Sequence, residues 1–384
     1  MEHRILALLA LVVSGAIAGI TGPPAHEALH VLPPITHGNL TIFPVVGGVD
    51  YDTSRFLTLD EGVRAGTVIV TEQGSLQGLV RRGQPVNRHA GAEVNQLVLV
   101  NNSDRPLLLL AGEIVTGGKQ DRVIGADRLV PPKSDPIDLS VFCVEPGRWV
   151  GRSAQFGSMK SQMAQPSVRV PAMAAKDQHE VWNQVAAARQ AAEMASSVDV
   201  TGGAPLVQAE NGNLAPSGGN DLTYPRTTSY AATMASPRVQ ATIDNAAGNY
   251  DSILRELRKT NAKGVIVAIN GNLVWADLFA SNDLLLRYWQ KLVRSYAAES
   301  LTSAGVNGLV DQKSAQAFLD RMSGNREVVE TEAGLYRRAE ISGDGYKVFT
   351  LTTLMPKTGF DVHIAKMTCD AEAGKLLRPA IMMR

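Results

Sequence analysis

Two apolar runs that each end in a charged turn constrain the fold of this chain more than any other feature. The first, Leu107-Leu108-Leu109-Leu110-Ala111, leads into Gly112-Glu113-Ile114-Val115-Thr116-Gly117-Gly118-Lys119-Gln120-Asp121-Arg122. The second, Ile137 to Val144, delivers Glu145-Pro146-Gly147-Arg148-Trp149. Apolar runs this short, bounded by turn residues, read as buried strands. A buried strand carries its turn to the edge of a core, so the densest set of reactive side chains in the protein should sit at such an edge.

The flanking sequence agrees with a β-rich first part. Leu40 to Val46 reads as a strand ending at Gly47-Gly48, and Gly66 to Glu72 as another, rich in β-branched residues. Val94 to Asn101 alternates apolar and polar, and Asn101-Asn102-Ser103-Asp104 is a turn cluster. Pro106 to Ala111 is then expected to run antiparallel to Val94–Asn101. Thr58-Leu59-Asp60-Glu61 is a capping box that opens a short helix. Residues 40–150 therefore predict a mostly antiparallel sheet or sandwich.

After Trp149 helical periods take over. Val181, Val185, Ala188 and Ala192 share one face of a helix over Asp177–Met194. Residues 196–235 are rich in Gly, Pro, Ser, Thr and Asn and read as a flexible loop. Ser236-Pro237 opens a further helix. Asn270-Gly271 between two apolar runs is a hairpin signal. A helix follows from about Asp283 to Leu301, Asp311 caps a shorter one, and the rest is a meander. The class is α+β: an N-terminal antiparallel sheet or sandwich, a helix-rich region 151–310 with a β-hairpin, and a C-terminal α+β unit over 311–384.

Residues 1–18 have the form of a signal peptide: a short basic head, an apolar run and Ala16-Ile17-Ala18. Cleavage is expected near Gly19, with a retained anchor as the alternative, and residues 19–39 form an extended lead-in. This implies a periplasmic or extracellular protein, with no membrane role beyond export. Lys+Arg and Asp+Glu balance at 37 each, so bulk charge attracts neither nucleic acid nor an anionic membrane. No His or Cys spacing suggests a metal site. Cys143 and Cys369 permit one disulfide in an oxidising compartment, or stand as two thiols.

The charged turns admit two uses. Gly117-Gly118 lets backbone N–H groups approach an anion, and Lys119 and Arg122 add charge. The spacing is neither that of a P-loop nor Gly-x-Gly-x-x-Gly, so no cofactor is assigned. Arg148 can grip an oxyanion in bidentate fashion, Trp149 can stack on a ring, and Glu113 and Glu145 are acid/base candidates. Gln120 and Asp121 lie in the same loop, and Gln178 and Trp182 are placed to wall the same cleft from their helix. Equally, Glu145 could pair with Arg122 or Arg148 and merely hold two loops together. Asp277, in an apolar setting, reads as a buried capping aspartate or a ligand group.

Taken together, Ala111 to Arg122 and Cys143-Val144-Glu145-x-Gly147-Arg148-Trp149 resemble the signature of the ARG and rhodanese-phosphatase-superfamily-associated proteins, where ARG stands for ADP-ribosylglycohydrolase. The resemblance runs from about Leu40 to Tyr288-Trp289, leaving the meander from about Arg326 as an appended unit. That family has no assigned reaction. Its name implies a nucleotide- or ADP-ribose-like ligand. Two readings follow. One is an exported protein that binds a small anionic ligand, with hydrolysis as an extension. The other is a non-enzymatic exported interaction module in which the charges brace the fold. If residues 112–122 fold back along the sheet, Glu113, Arg122, Glu145 and Arg148 should meet in one cleft.

Overall fold

A computed structural model describes residues 29–72, 96–148, 151–201, 227–302 and 308–369. The expected signal peptide, the loop core 202–226 and Trp149 lie outside the described residues. The fold is α+β. Among the described residues, its largest element is a nine-stranded sheet. Its main path runs Leu29–Val31, Leu40–Gly47, Gly264–Ile269, Asn272–Phe279, Asp361–Thr368, Tyr346–Thr353, Tyr336–Gly343 and Asn325–Glu332, with Ile35–His37 hairpinned onto Leu40–Gly47. Every pairing in it is antiparallel.

This sheet crosses the boundaries expected at 150 and 310. Leu40–Gly47 pairs with Gly264–Ile269, and Asn272–Phe279 pairs with Asp361–Thr368, so the C-terminal meander extends the sheet that the first long strand enters. The hairpin at its centre forms where Asn270-Gly271 predicted it. Both residues have positive φ, 52° and 78°, as the tight turn requires.

A second, six-stranded antiparallel sheet holds the charged turns, in the order Gly157–Met163, Glu113–Thr116, Arg122–Ile124, Ile137–Cys143, Gln96–Asn101 and Val68–Glu72. The expected pairing of the Leu107 run with the strand before it does not form. Gln96–Asn101 pairs with Ile137–Ser140 and Val68–Glu72, while Leu107–Leu109 lies in a small sheet between Arg128–Val130 and Leu57–Thr58. Both edges of Gln96–Asn101 are taken by those two strands, so the Leu107 run has no edge there to pair with and is buried elsewhere, with Leu107 to Leu110 fully covered.

Local signals set the helix starts. Thr58 and Glu61 form both halves of the capping box for Leu59–Arg64, Ser236 caps Pro237–Ala247, and Asp311 caps Gln312–Asp320. The helix expected to end at Met194 continues to Thr201, and Tyr230–Ala235 forms a further helix inside the expected loop. At the centre lies Asn282–Thr302, which packs against Pro237–Ala247, Gln178–Thr201 and the Gly157–Met163 strand. Leu285, Trp289, Leu292, Val293 and Tyr296 all face inward. Trp289→Ala removes the largest of these side chains and is expected to cost about 3–5 kcal/mol, measurable as a lowered midpoint in chemical denaturation.

Candidate functional site: three buried charge clusters

Glu113–Thr116 turns through residues 117–121 into Arg122–Ile124, so the charged loop folds back along the sheet. Arg122 then pairs in register with Cys143, two residues before Glu145. This places the Gly117–Asp121 loop beside the Glu145 turn. Arg148 lies 2.6 Å from Glu145 and 3.6 Å from Asp121, and Arg152 reaches Glu145 at 3.6 Å. Asp121 donates its backbone N–H to Glu145, and its carboxylate accepts from the Gly117 N–H and the Ser229 hydroxyl.

The glycine pair is not an empty anion cradle. The Gly118 N–H is taken by Ser153 Oγ and the Lys119 N–H by Glu72. Arg148 donates to the carbonyls of Gly117 and Gly118. A Cβ on Gly118 would stand 2.3 Å from the Phe156 ring, and one on Gly117 2.6 Å from Ser153 Oγ. Close packing at positive φ is therefore what demands glycine here.

Gln120, Asp121, Arg122 and Glu145 are buried, Arg148 half-buried and Lys119 exposed. Burial lowers the Arg122 guanidinium below its ordinary value, although Cys143, Glu72 and Asp121 work against the shift. Gln178 clamps the Cys143 backbone, accepting from its N–H at 2.8 Å and donating to its carbonyl at 2.9 Å. Trp182 is half-buried one turn on. Of the two alternatives for Cys143 and Cys369, the disulfide is not formed. Cys143 is buried in the six-stranded sheet, whereas Cys369 is exposed just past the Asp361–Thr368 strand of the other sheet.

Glu113 does not join this group. It sits at the far end of its strand, fully buried, 2.6 Å from Lys291, which also lies 2.9 Å from Asp60. Burial raises the Glu113 carboxyl in spite of Lys291. Burial also pulls at the Lys291 ammonium, but Glu113 and Asp60 outweigh it and hold it charged.

A third cluster was missed at the level of sequence. Asp277 receives both terminal nitrogens of Arg169, at 3.1 and 3.2 Å, and the Tyr296 hydroxyl. His363 Nε2 lies 3.2 Å from the same carboxylate, and His363 Nδ1 lies 2.6 Å from Asp127. Asp127 also accepts the Ala111 N–H. All these side chains are buried, and Arg169 lies over the Trp275 ring at 4.2 Å. Burial would raise Asp277, but Arg169 and His363 hold it well below the usual carboxylate range. Burial would likewise lower His363, but Asp127 and Asp277 push it up to about 9. Of these residues only Asp277 carried a local signal, as an acid among apolar neighbours.

Among the described residues no group of His, Cys, Asp and Glu could hold a metal ion, and no helix is long and apolar enough to cross a membrane. Fold and clusters define an α+β protein whose layers meet on buried ion networks. The sequence profile of the ARG and rhodanese-phosphatase-superfamily-associated protein domain matches residues 28–366, and the chain belongs to that family. The match takes in most of the C-terminal meander, which is therefore part of the family domain rather than an appendage. No curated protein and no solved structure matches the chain.

His363 generates a pH prediction. Its folded value of about 9 lies above the ordinary 6.5, so its proton stabilises the fold fully below about pH 6.5. That contribution, on the order of 3 kcal/mol, is lost as pH rises through about 9. Lys366, which burial and then Arg321 lower to about 8, contributes with the opposite sign. The expected result is therefore a difference measurement: the gap in melting temperature between wild type and His363→Gln is wide at pH 6 and narrows by pH 9.5.

Proposed function

We propose that the chain is a non-enzymatic, exported binding module in which the charged loops brace the fold. The observation that carries this reading is the saturation of Asp121 and Glu145. Between them these carboxylates take two backbone N–H groups, a hydroxyl and two arginines in a buried setting. An acid or base that turns over substrate needs a lone pair or proton facing that substrate. Glu113 is similarly committed, to Lys291 and the Leu110 N–H.

The alternative is a binder, or hydrolase, of a nucleotide- or ADP-ribose-like anion. One observation favours it: Lys119 and Arg152 are exposed cations beside the Glu145 turn. Export rests on residues 1–18 of the sequence.

Two measurements test these statements. Glu145→Gln and Arg148→Ala should each destabilise by about 1.5–3 kcal/mol in thermal melts, with millimolar ADP-ribose leaving the wild-type midpoint unchanged. A midpoint raised by ADP-ribose, and lost in Arg148→Ala at unchanged stability, would transfer the case to the anion-binding reading. Mass spectrometry of the native soluble protein should find an N-terminus near Gly19, and an intact 1–20 peptide there would exclude cleavage.

A further inference from the structure

A small cleft of about 20 Å³ opens where the residues after Ile124 meet the meander. Its lining includes Asp127, Met173, Lys176, Arg338, Phe349 and Thr350. The Thr350 hydroxyl has no hydrogen-bond partner among the described residues, although the residue is only 5% exposed. A buried hydroxyl without a partner is costly, on the order of 1–3 kcal/mol. Thr350 lines the cleft, and a turn of its side chain toward the opening would let an entering group satisfy this hydroxyl.

The charge pattern selects the kind of group. Each carboxylate at the cleft already has a partner. Asp127 takes the Ala111 N–H on one oxygen and His363 on the other, and Glu340 holds Lys176 at 2.8 Å. The donors have capacity left. Lys176 is exposed and its ammonium has three N–H bonds. Arg338 is partly exposed, lies 3.0 Å from Glu330 and donates to the Asp127 carbonyl at 3.4 Å. Ion pairs of this exposed kind are held weakly and can be shared with an incoming anion.

We propose that this cleft binds the oxyanion head of a small molecule, a carboxylate or a phosphate, with the Thr350 hydroxyl donating to it and Lys176 and Arg338 supplying the charge. Space on the order of one water-sized group admits an oxygen of such a head and excludes a base or a sugar ring, so the remainder of the ligand lies outside the cleft. The inference rests on the binding-module reading only in assigning the site to binding rather than turnover. It uses none of the residues in the Glu145 brace.

The test is a set of thermal melts at pH 7 in sodium phosphate, sodium acetate and sodium chloride at matched ionic strength, on wild type, Thr350→Val and Lys176→Met. Phosphate or acetate should raise the wild-type midpoint by about 2–4 °C over chloride, and which of the two does so identifies the head. The shift should vanish in Thr350→Val and shrink in Lys176→Met. In chloride, Thr350→Val should melt at or above wild type, because it removes a buried hydroxyl that bonds to no described residue. Three outcomes overturn the proposal: neither oxyanion acts beyond chloride, the shift survives in Thr350→Val, or Thr350→Val melts lower in chloride. Glu145→Gln should keep the oxyanion shift while losing stability, so failure of this site and failure of the brace reading are read separately.

Discussion

The Asp277 carboxylate is the contact on which the arrangement of layers depends. It projects from the Asn272–Phe279 strand inside the large sheet and meets a guanidinium brought from Pro166–Val170, directly after the six-stranded sheet ends. His363, on the neighbouring strand, links Asp277 to Asp127, which holds the Ala111 N–H of the smaller sheet's loop. Three layers thus close on one chain of alternating charge. Replacing such a chain with apolar groups is often harmless to stability, but removing one member leaves a buried charge unpaired and costs about 3–5 kcal/mol. The network therefore makes the packing of the layers all-or-none: they meet in this register or strand a charge in the core.

That contact also explains a feature of the first charged turn. Gly112 has φ 95°, and a Cβ there would stand 2.8 Å from the Arg169 side chain. The glycine lets Arg169 pass close to the backbone on its way to Asp277, where its guanidinium covers Trp275. The central helix repeats the principle along one side. Tyr288 donates to the Leu108 carbonyl, Lys291 holds Glu113 and Asp60, Tyr296 donates to Asp277, and Glu299 accepts the Ser167 N–H. These positions recur at helical spacing, so one helix carries a polar ladder through an otherwise apolar core. Each rung reaches a different element.

What the sequence made legible follows the range of each interaction. The Asn270-Gly271 hairpin, the Thr58–Glu61 capping box and the Ser236 cap are decided within a few residues, and all form as read. The meeting of Arg148, Glu145 and Asp121 was also readable, because two apolar strands deliver those turns and one fold-back brings them together. The third cluster was not readable. Arg169 and Asp277 are 108 residues apart and His363 and Asp127 are 236 apart, with no spacing rule to join them. Glu113 shows the opposite failure. Proximity in sequence grouped it with the loop at Arg122, but its strand carries it to the other end of the sheet, where its partner is a helix lysine.

The two kinds of charged site differ in what is left to offer a ligand. At the Glu145 turn the carboxylates are taken up by loop amides and arginines, so a ligand acting on them would have to break bonds the fold already uses. At the Thr350 cleft the described residues leave a buried donor unused near the exposed Lys176 and the partly exposed Arg338. A binding group is worth most where the apo protein carries an unmet requirement, since the ligand then gains a hydrogen bond without displacing one. By that criterion the Asp121 and Glu145 carboxylates are the less suited to recognition. A threonine with no motif around it marks the better place.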